Sequence, residues 1–202
     1  MYEVTESSLL IDAPIIAVRR DAVTMPGGCS ANREIVEHFG AVAVVAHDGE
    51  RIALVQQYRH PLGRRLWELP AGLLDVPGEK AVEAAHRELM EEVGLSAARW
   101  SMLLDVATSP GVSDEVTRVY LATGLSPTDR PEPEDEEAEM QVTWVSLAEA
   151  KEKVLNGEII NSVAVAGIFA AAEGNARPVD TPFDLRPKAL ARRRGGSGAD
   201  LA

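Results

Sequence analysis

Residues 87–95 read Arg-Glu-Leu-Met-Glu-Glu-Val-Gly-Leu and confine the middle of this chain to one kind of element, an amphipathic helix with a charged flank. Val82, Ala85, Leu89 and Val93 recur at helical spacing as a core-facing stripe, and Gly94 supplies a stop. Glu88, Glu91 and Glu92 stand at i, i+3 and i+4, so their side chains rise from neighbouring points of one turn. Like charges at that spacing destabilise an isolated helix. The compensator that suits clustered carboxylates is a hard divalent cation, which takes oxygen ligands and is commonly completed by phosphate oxygens. On a helical wheel Glu88 and Glu92 fall beside the apolar stripe, partly shielded from water. Arg87 and Glu91 lie one turn apart on a more distant face, spaced for an orienting salt bridge. The pattern points to metal-assisted chemistry on a phosphate compound.

The chain has 202 residues, which predicts one domain with an appended piece. Its apolar fraction of 46% is enough for a sizeable core. No run reaches membrane-spanning length, and the N-terminus lacks the pattern of a secretory signal. A lone Cys29 excludes an intramolecular disulfide framework and fits a reducing cytoplasm. The formal charge of −12 argues against nucleic-acid binding through the phosphate backbone. An anionic substrate then needs a local reversal of the field, from bound metal and a few arginines.

Residues 1–40 predict a small β-rich region of two or three short strands that needs a partner surface, with a strand near Arg33–Phe39. Ala41–Ala46 is a continuous apolar run, as in a strand buried on both faces, and Arg51–Gln57 follows across Asp48-Gly49 as its hairpin partner. Further strands are expected at 66–70, 100–108, 115–122 and 140–145, and helices at 147–155 and 158–172. From residue 175 the polar, glycine- and arginine-rich tail reads as disordered.

The segment Glu79–Leu95 resembles the signature of the Nudix hydrolases: Glu, seven residues, Arg-Glu, an aliphatic, any residue, Glu-Glu, any residue, Gly, an aliphatic. Every defined position matches. The departure lies upstream, where Gly72 and Glu79 are separated by six residues, one more than the family pattern, as after an insertion in the loop. The resemblance implies a Nudix α/β/α sandwich with a mixed sheet over 41–174, plus the small N-terminal region. It implies that Glu88, Glu92 and the main-chain carbonyl of Ala71 hold two or more Mg²⁺ ions, with Mn²⁺ a possible substitute. Arg87 and Glu91 would orient or complete that shell.

Three further segments resemble the ADP-ribose pyrophosphatase branch of that family. Arg59, in Tyr58-Arg59-His60-Pro61, matches an arginine that contacts the substrate's phosphates. Pro110 stands sixteen residues beyond Gly94, the branch's marker proline, so Ser109 and Glu115 would face the ribose and its phosphate. The acids of 132–139 occupy the loop from which the family draws its general base, which assigns that role to Glu137, with Glu136 next. Arg33 and Glu34 match a pair that, in related homodimers, reaches across to clamp the neighbour's substrate. The implied reaction is hydrolysis of ADP-ribose to AMP and ribose 5-phosphate by a cytoplasmic homodimer with no nucleic-acid or membrane partner. The alternatives are a pyrophosphatase for another nucleoside diphosphate sugar or dinucleotide, and, in a different class, a ligand-sensing Nudix regulator.

Overall fold

The computed structural model describes residues 1–130, 139–174 and 176–195. Its centre is β4 (Ala41–His47), whose side chains alternate between two cores. Val42, Val44 and Ala46 pack on one face with Ala84, Ala85, Leu89 and Met102, while Ala43 and Val45 pack on the other with Leu69, Ile159, Ala164 and Ile168. Both faces being covered, the strand reads as an unbroken apolar run rather than an alternating one.

The seven-stranded sheet runs β10-β5-β4-β9-β8, where β5 is Arg51–Arg59, β8 is Leu95–Ala107, β9 is Val116–Pro127 and β10 is Gln141–Ser146. Two short strands extend it, β6 (Arg64–Glu68) on β5 and β7 (Ala71–Leu73) on β4. The β4–β9 pair is parallel and the other pairs are antiparallel, so the sheet is mixed. Helix α1 (Ala81–Val93) covers one face, and α2 (Leu147–Leu155) and α3 (Ser162–Glu173) cover the other. The result is the expected α/β/α sandwich.

Helix α3 begins at Ser162 rather than near 158, because the Asn161 side chain accepts from the Ala164 N–H at 2.9 Å and so caps the first turn. Gly167 lets this helix approach the sheet closely: a Cβ there would lie 2.7 Å from Leu69 Cδ1. On the opposite layer Gly94 closes α1 in the left-handed conformation (φ 70°), its N–H donating to Met90 O at 2.9 Å.

The N-terminal region is a separate antiparallel sheet of β1 (Glu3–Asp12), β2 (Ile16–Thr24) and β3 (Ser30–His38). These strands are longer than the sequence led us to expect, and β1 is exposed along its whole length. The sheet joins the domain through β3. The Val36 N–H donates to Val112 O at 2.8 Å, and the Asp114 N–H donates back to Val36 O at 3.2 Å.

Residues 176–195 correct the expectation of a disordered tail from 175 onward. Arg177 and Met102 exchange main-chain hydrogen bonds of 2.7 and 3.0 Å. The Arg118 guanidinium, buried and paired with Asp105, donates to Thr181 O at 2.6 Å and Pro182 O at 2.8 Å and lies over the Phe183 ring. A short helix, α4 (Ala189–Arg193), then seats a fully buried Leu190 against Ala17 and Phe39. Arg193 donates to the buried Glu37 carboxylate at 2.9 and 3.0 Å. The anchors are isolated side chains with no period, and composition alone misses such a segment.

Because Leu190 is fully buried in this clasp, Leu190→Ala should destabilise the protein by about 2–4 kcal/mol, the range for truncating a buried leucine. Urea unfolding checks it, since a disordered tail predicts no change.

Candidate active site

The carboxylates of α1 sit where the helical period puts them, but their first compensator is a side chain. Arg87 Nε and Nη2 donate to the two oxygens of Glu79 at 2.9 and 3.0 Å, and Nη1 donates to Glu88 at 2.5 Å and to Glu91 at 3.1 Å. Nη2 also reaches Leu73 O at 3.4 Å. The pair with Glu79, aided by the nearby Glu88, raises the Arg87 pKa further above its ordinary range despite the cost of burial. The guanidinium is therefore a permanent cation at the hub of three glutamates. The expected Arg87–Glu91 bridge is present, and Glu79, matched in the sequence but given no role, is Arg87's two-point partner.

Glu88 and Glu92 are both buried. Glu92 accepts from the Ala71 N–H at 2.9 Å, which ties the helix to the strand β7. Glu88 lies against Gly72, where an added Cβ would overlap its carboxylate. The glycine is thus required by a close approach, and the residues between it and Glu79 include the turn between β7 and α1.

Above Ala71 and Gly72 opens a cavity of about 800 Å³, lined also by Arg59, Glu68, Ser109 and Glu115. The structure therefore brings Arg59, Ala71, Ser109 and Glu115 together and backs them with Glu88 and Glu92. Arg59 is not held as expected of a lone phosphate ligand, since it forms a two-point pair with the buried Glu68 at 3.0 and 2.7 Å. Glu115 accepts from Thr108 Oγ1 at 2.5 Å, and its N–H donates to Ser113 Oγ at 3.1 Å.

Arg33 and Glu34 do not line this cavity. Glu34 pairs with Arg20 at 2.7 Å on the exposed N-terminal sheet, and Arg33 donates to Asn32 O. The same region does contribute Ile15 and His38 to the cavity wall, two residues that carried no functional signal in the sequence. Glu136 and Glu137 lie outside the described residues.

The donor set suits a hard divalent cation. Among the described residues no three His, Cys, Asp or Glu side chains converge into a closed metal cage. A cation such as Mg²⁺ needs only one or two carboxylates and keeps water and phosphate oxygens for the rest. Glu88 and Glu92 provide two, each with one oxygen already fixed, beside a cavity wide enough for a nucleotide-sized ligand.

Residues 37–163 match the model of the NUDIX domain. The chain belongs to the NUDIX family. It is 54% identical over 199 residues to an ADP-ribose pyrophosphatase of Mycobacterium tuberculosis, covering 96% of each chain. A methanol dehydrogenase activator of Bacillus methanolicus is 37% identical over 155 residues, 76% of this chain and 83% of that one. Among solved structures, an ADP compounds hydrolase superposes with a TM-score of 0.75 at 20% identity, covering 86% of this chain and 93% of the other, which shows the shared NUDIX fold. Enzymes of this family use divalent metal ions, in keeping with the oxygen donors at Glu88 and Glu92.

Gly72→Ala is expected to push the Glu88 carboxylate out of place and leave the fold intact. Turnover should fall about 10²-fold, the scale of a 1 Å misplacement, and half-maximal activity should need more divalent metal. Wild-type metal dependence in a folded Gly72→Ala protein would refute the close-packing argument.

Proposed function

We propose that this chain hydrolyses the diphosphate of ADP-ribose, giving AMP and ribose 5-phosphate, with Mg²⁺ as the natural metal and Mn²⁺ a substitute. The observation that carries the reading is one juxtaposition: Arg59, Ser109 and Glu115 face the cavity whose floor is backed by Glu88 and Glu92. The kinship with the mycobacterial ADP-ribose pyrophosphatase, which spans nearly the whole chain, supports the substrate.

In this reading Arg59 receives the phosphates, since its planar fork suits two-point recognition of phosphate oxygens. Glu115, held by Thr108, accepts from ribose hydroxyls. Glu88 and Glu92, with the Ala71 carbonyl, hold the metal, and Arg87 with Glu91 keeps Glu88 oriented. When bound, two or more Mg²⁺ ions neutralise the diphosphate and make its phosphorus more electrophilic. A water attacks one phosphorus, the bridging P–O bond breaks, and Glu137 takes the water's proton, with Glu136 the next candidate in that segment. The working form is a cytoplasmic homodimer, for which the exposed apolar side chains of β1, Val4, Leu9, Leu10 and Ile11, offer contact surface.

A panel of ADP-ribose, other nucleoside diphosphate sugars and dinucleotides, read by phosphate release after phosphatase treatment, tests the substrate. A clear preference for a compound other than ADP-ribose overturns it. Three variants separate the roles at saturating substrate. Glu92→Gln should lose about 10²- to 10³-fold in kcat, with more Mg²⁺ needed for half-maximal activity. Glu137→Gln should lose about 10²- to 10⁴-fold with KM and Mg²⁺ affinity kept, and Glu136→Gln should change little. Reversal of the last two would move the base by one residue.

For the dimer, light scattering at micromolar concentration should report twice the chain mass. Deleting residues 1–12 is the sharper test than removing the whole region, because β3 is hydrogen-bonded to the 109–115 loop. A monomeric full-length protein sinks the proposal.

A further inference from the structure

We infer that Glu68 is a positioning residue of this cavity, fixing through Arg59 the guanidinium that receives the substrate's phosphates; the inference rests on the ADP-ribose reading above. Glu68 ends β6, opposite Val55 of β5, and its side chain turns inward on the same face as the buried Leu66. Arg59 ends β5, and the chain returns from it to β6 through one turn of 3-10 helix, His60–Leu62. From the turn end of the hairpin, where it pairs with Arg64, Arg59 reaches back to Glu68 with parallel hydrogen bonds, Nε to Oε1 at 3.0 Å and Nη2 to Oε2 at 2.7 Å. Among the described residues both hydrogen bonds to the Glu68 carboxylate come from Arg59.

The asymmetry of burial shows which partner serves the other. The Glu68 side chain is 4% exposed and the Arg59 side chain 40%. A buried carboxylate carries a large desolvation cost, and a well-packed apolar pair in place of such an ion pair is often equally or more stable. Stability therefore does not explain the acid. Orientation does, because a half-exposed arginine loses its rotamer freedom most readily to a two-point carboxylate partner, which sets both the position and the plane of the guanidinium. That plane borders the cavity beside Ala71 and Gly72, against which the metal-site carboxylates pack. Glu68 also cancels the charge of Arg59 at the wall. Its contribution to an anionic ligand is thus geometric and not one of simple attraction.

The test compares wild type, Glu68→Gln, Arg59→Ala and the double variant, with Glu68→Met as a second neutral form of nearly the same volume. Melting temperatures establish that each is folded. With ADP-ribose, Glu68→Gln should raise KM about 10- to 100-fold while kcat stays within about threefold. In the Arg59→Ala background the same change should add almost nothing, because the residue through which it acts is gone. Calorimetric titration with ADP should show the same pattern in Kd. Unchanged KM and Kd in Glu68→Gln overturn the inference, as do additive effects in the double variant. Failure of both Glu68→Gln and Glu68→Met to fold makes the residue structural and overturns it too. If wild type leaves ADP-ribose intact, the activity reading falls, and the four ADP titrations alone decide the inference.

Discussion

Two carboxylates buried on adjacent turns of a helix repel each other, and neither can stay charged there without a partner. Among the described residues, a guanidinium and a main-chain N–H answer this constraint at α1. Arg87 bonds Glu79, Glu88 and Glu91, and Ala71 holds Glu92. Each contact also fixes something else. The Glu92 bond and the approach of Glu88 to Gly72 lock β7 against the helix, and β7 is paired to β4, the strand from which both cores are built. The cavity floor, the helix and the central strand therefore form one rigid unit. Removing one partner of such a pair is more damaging than never having had it, since a buried charge is left exposed to the low-dielectric interior.

A second group of charges does the same for the periphery. Glu37 on β3 is buried and receives Arg19 from β2 and Arg193 from α4. Arg118, paired with Asp105 of the neighbouring strand of the large sheet, donates to the carbonyls of Thr181 and Pro182. The N-terminal sheet and the last described residues are thus joined to the domain by buried ionic contacts, with Leu190 as the apolar pin between them. The arrangement explains how a thin three-stranded sheet with a fully exposed outer strand keeps a fixed position beside the cavity, to which it lends Ile15 and His38.

What could be read in the sequence followed from regularity. The 3.6-residue period placed Glu88 and Glu92 beside the apolar stripe, and both are buried as that placement requires. The unbroken run Ala41–Ala46 announced a strand covered on both faces. Irregular contacts were not legible. Phe183 and Leu190 belong to no periodic pattern, so an ordered segment looked like a tail. Arg33 and Glu34 matched a family pair expected to reach a neighbour's substrate, and within the one chain they lie on the N-terminal sheet and do not line the cavity. Glu68 had a signal that went unused: in Leu66-Trp67-Glu68 the acid shares parity with a core leucine, and an acid on an inward face needs a cationic partner.

The hydrogen bonds between β3 and the loop after β8 bear on how this scaffold can diverge. Val36 receives hydrogen bonds from the Ser113 side chain and the Asp114 N–H and gives one to Val112 O, while the Asp114 carboxylate takes the His38 N–H at 2.8 Å. The loop is stitched to β3 at three consecutive residues, Val112, Ser113 and Asp114, so a residue added among them would have to slip the register of a strand in another sheet. Among the described residues the turn before α1 carries no such stitching to β3, and six residues separate Gly72 from Glu79 there, one more than the family pattern. Related sequences should therefore vary the first of these loops by exchanging side chains and the second by changing its length. Selectivity on this fold would then evolve by substitution at fixed spacing.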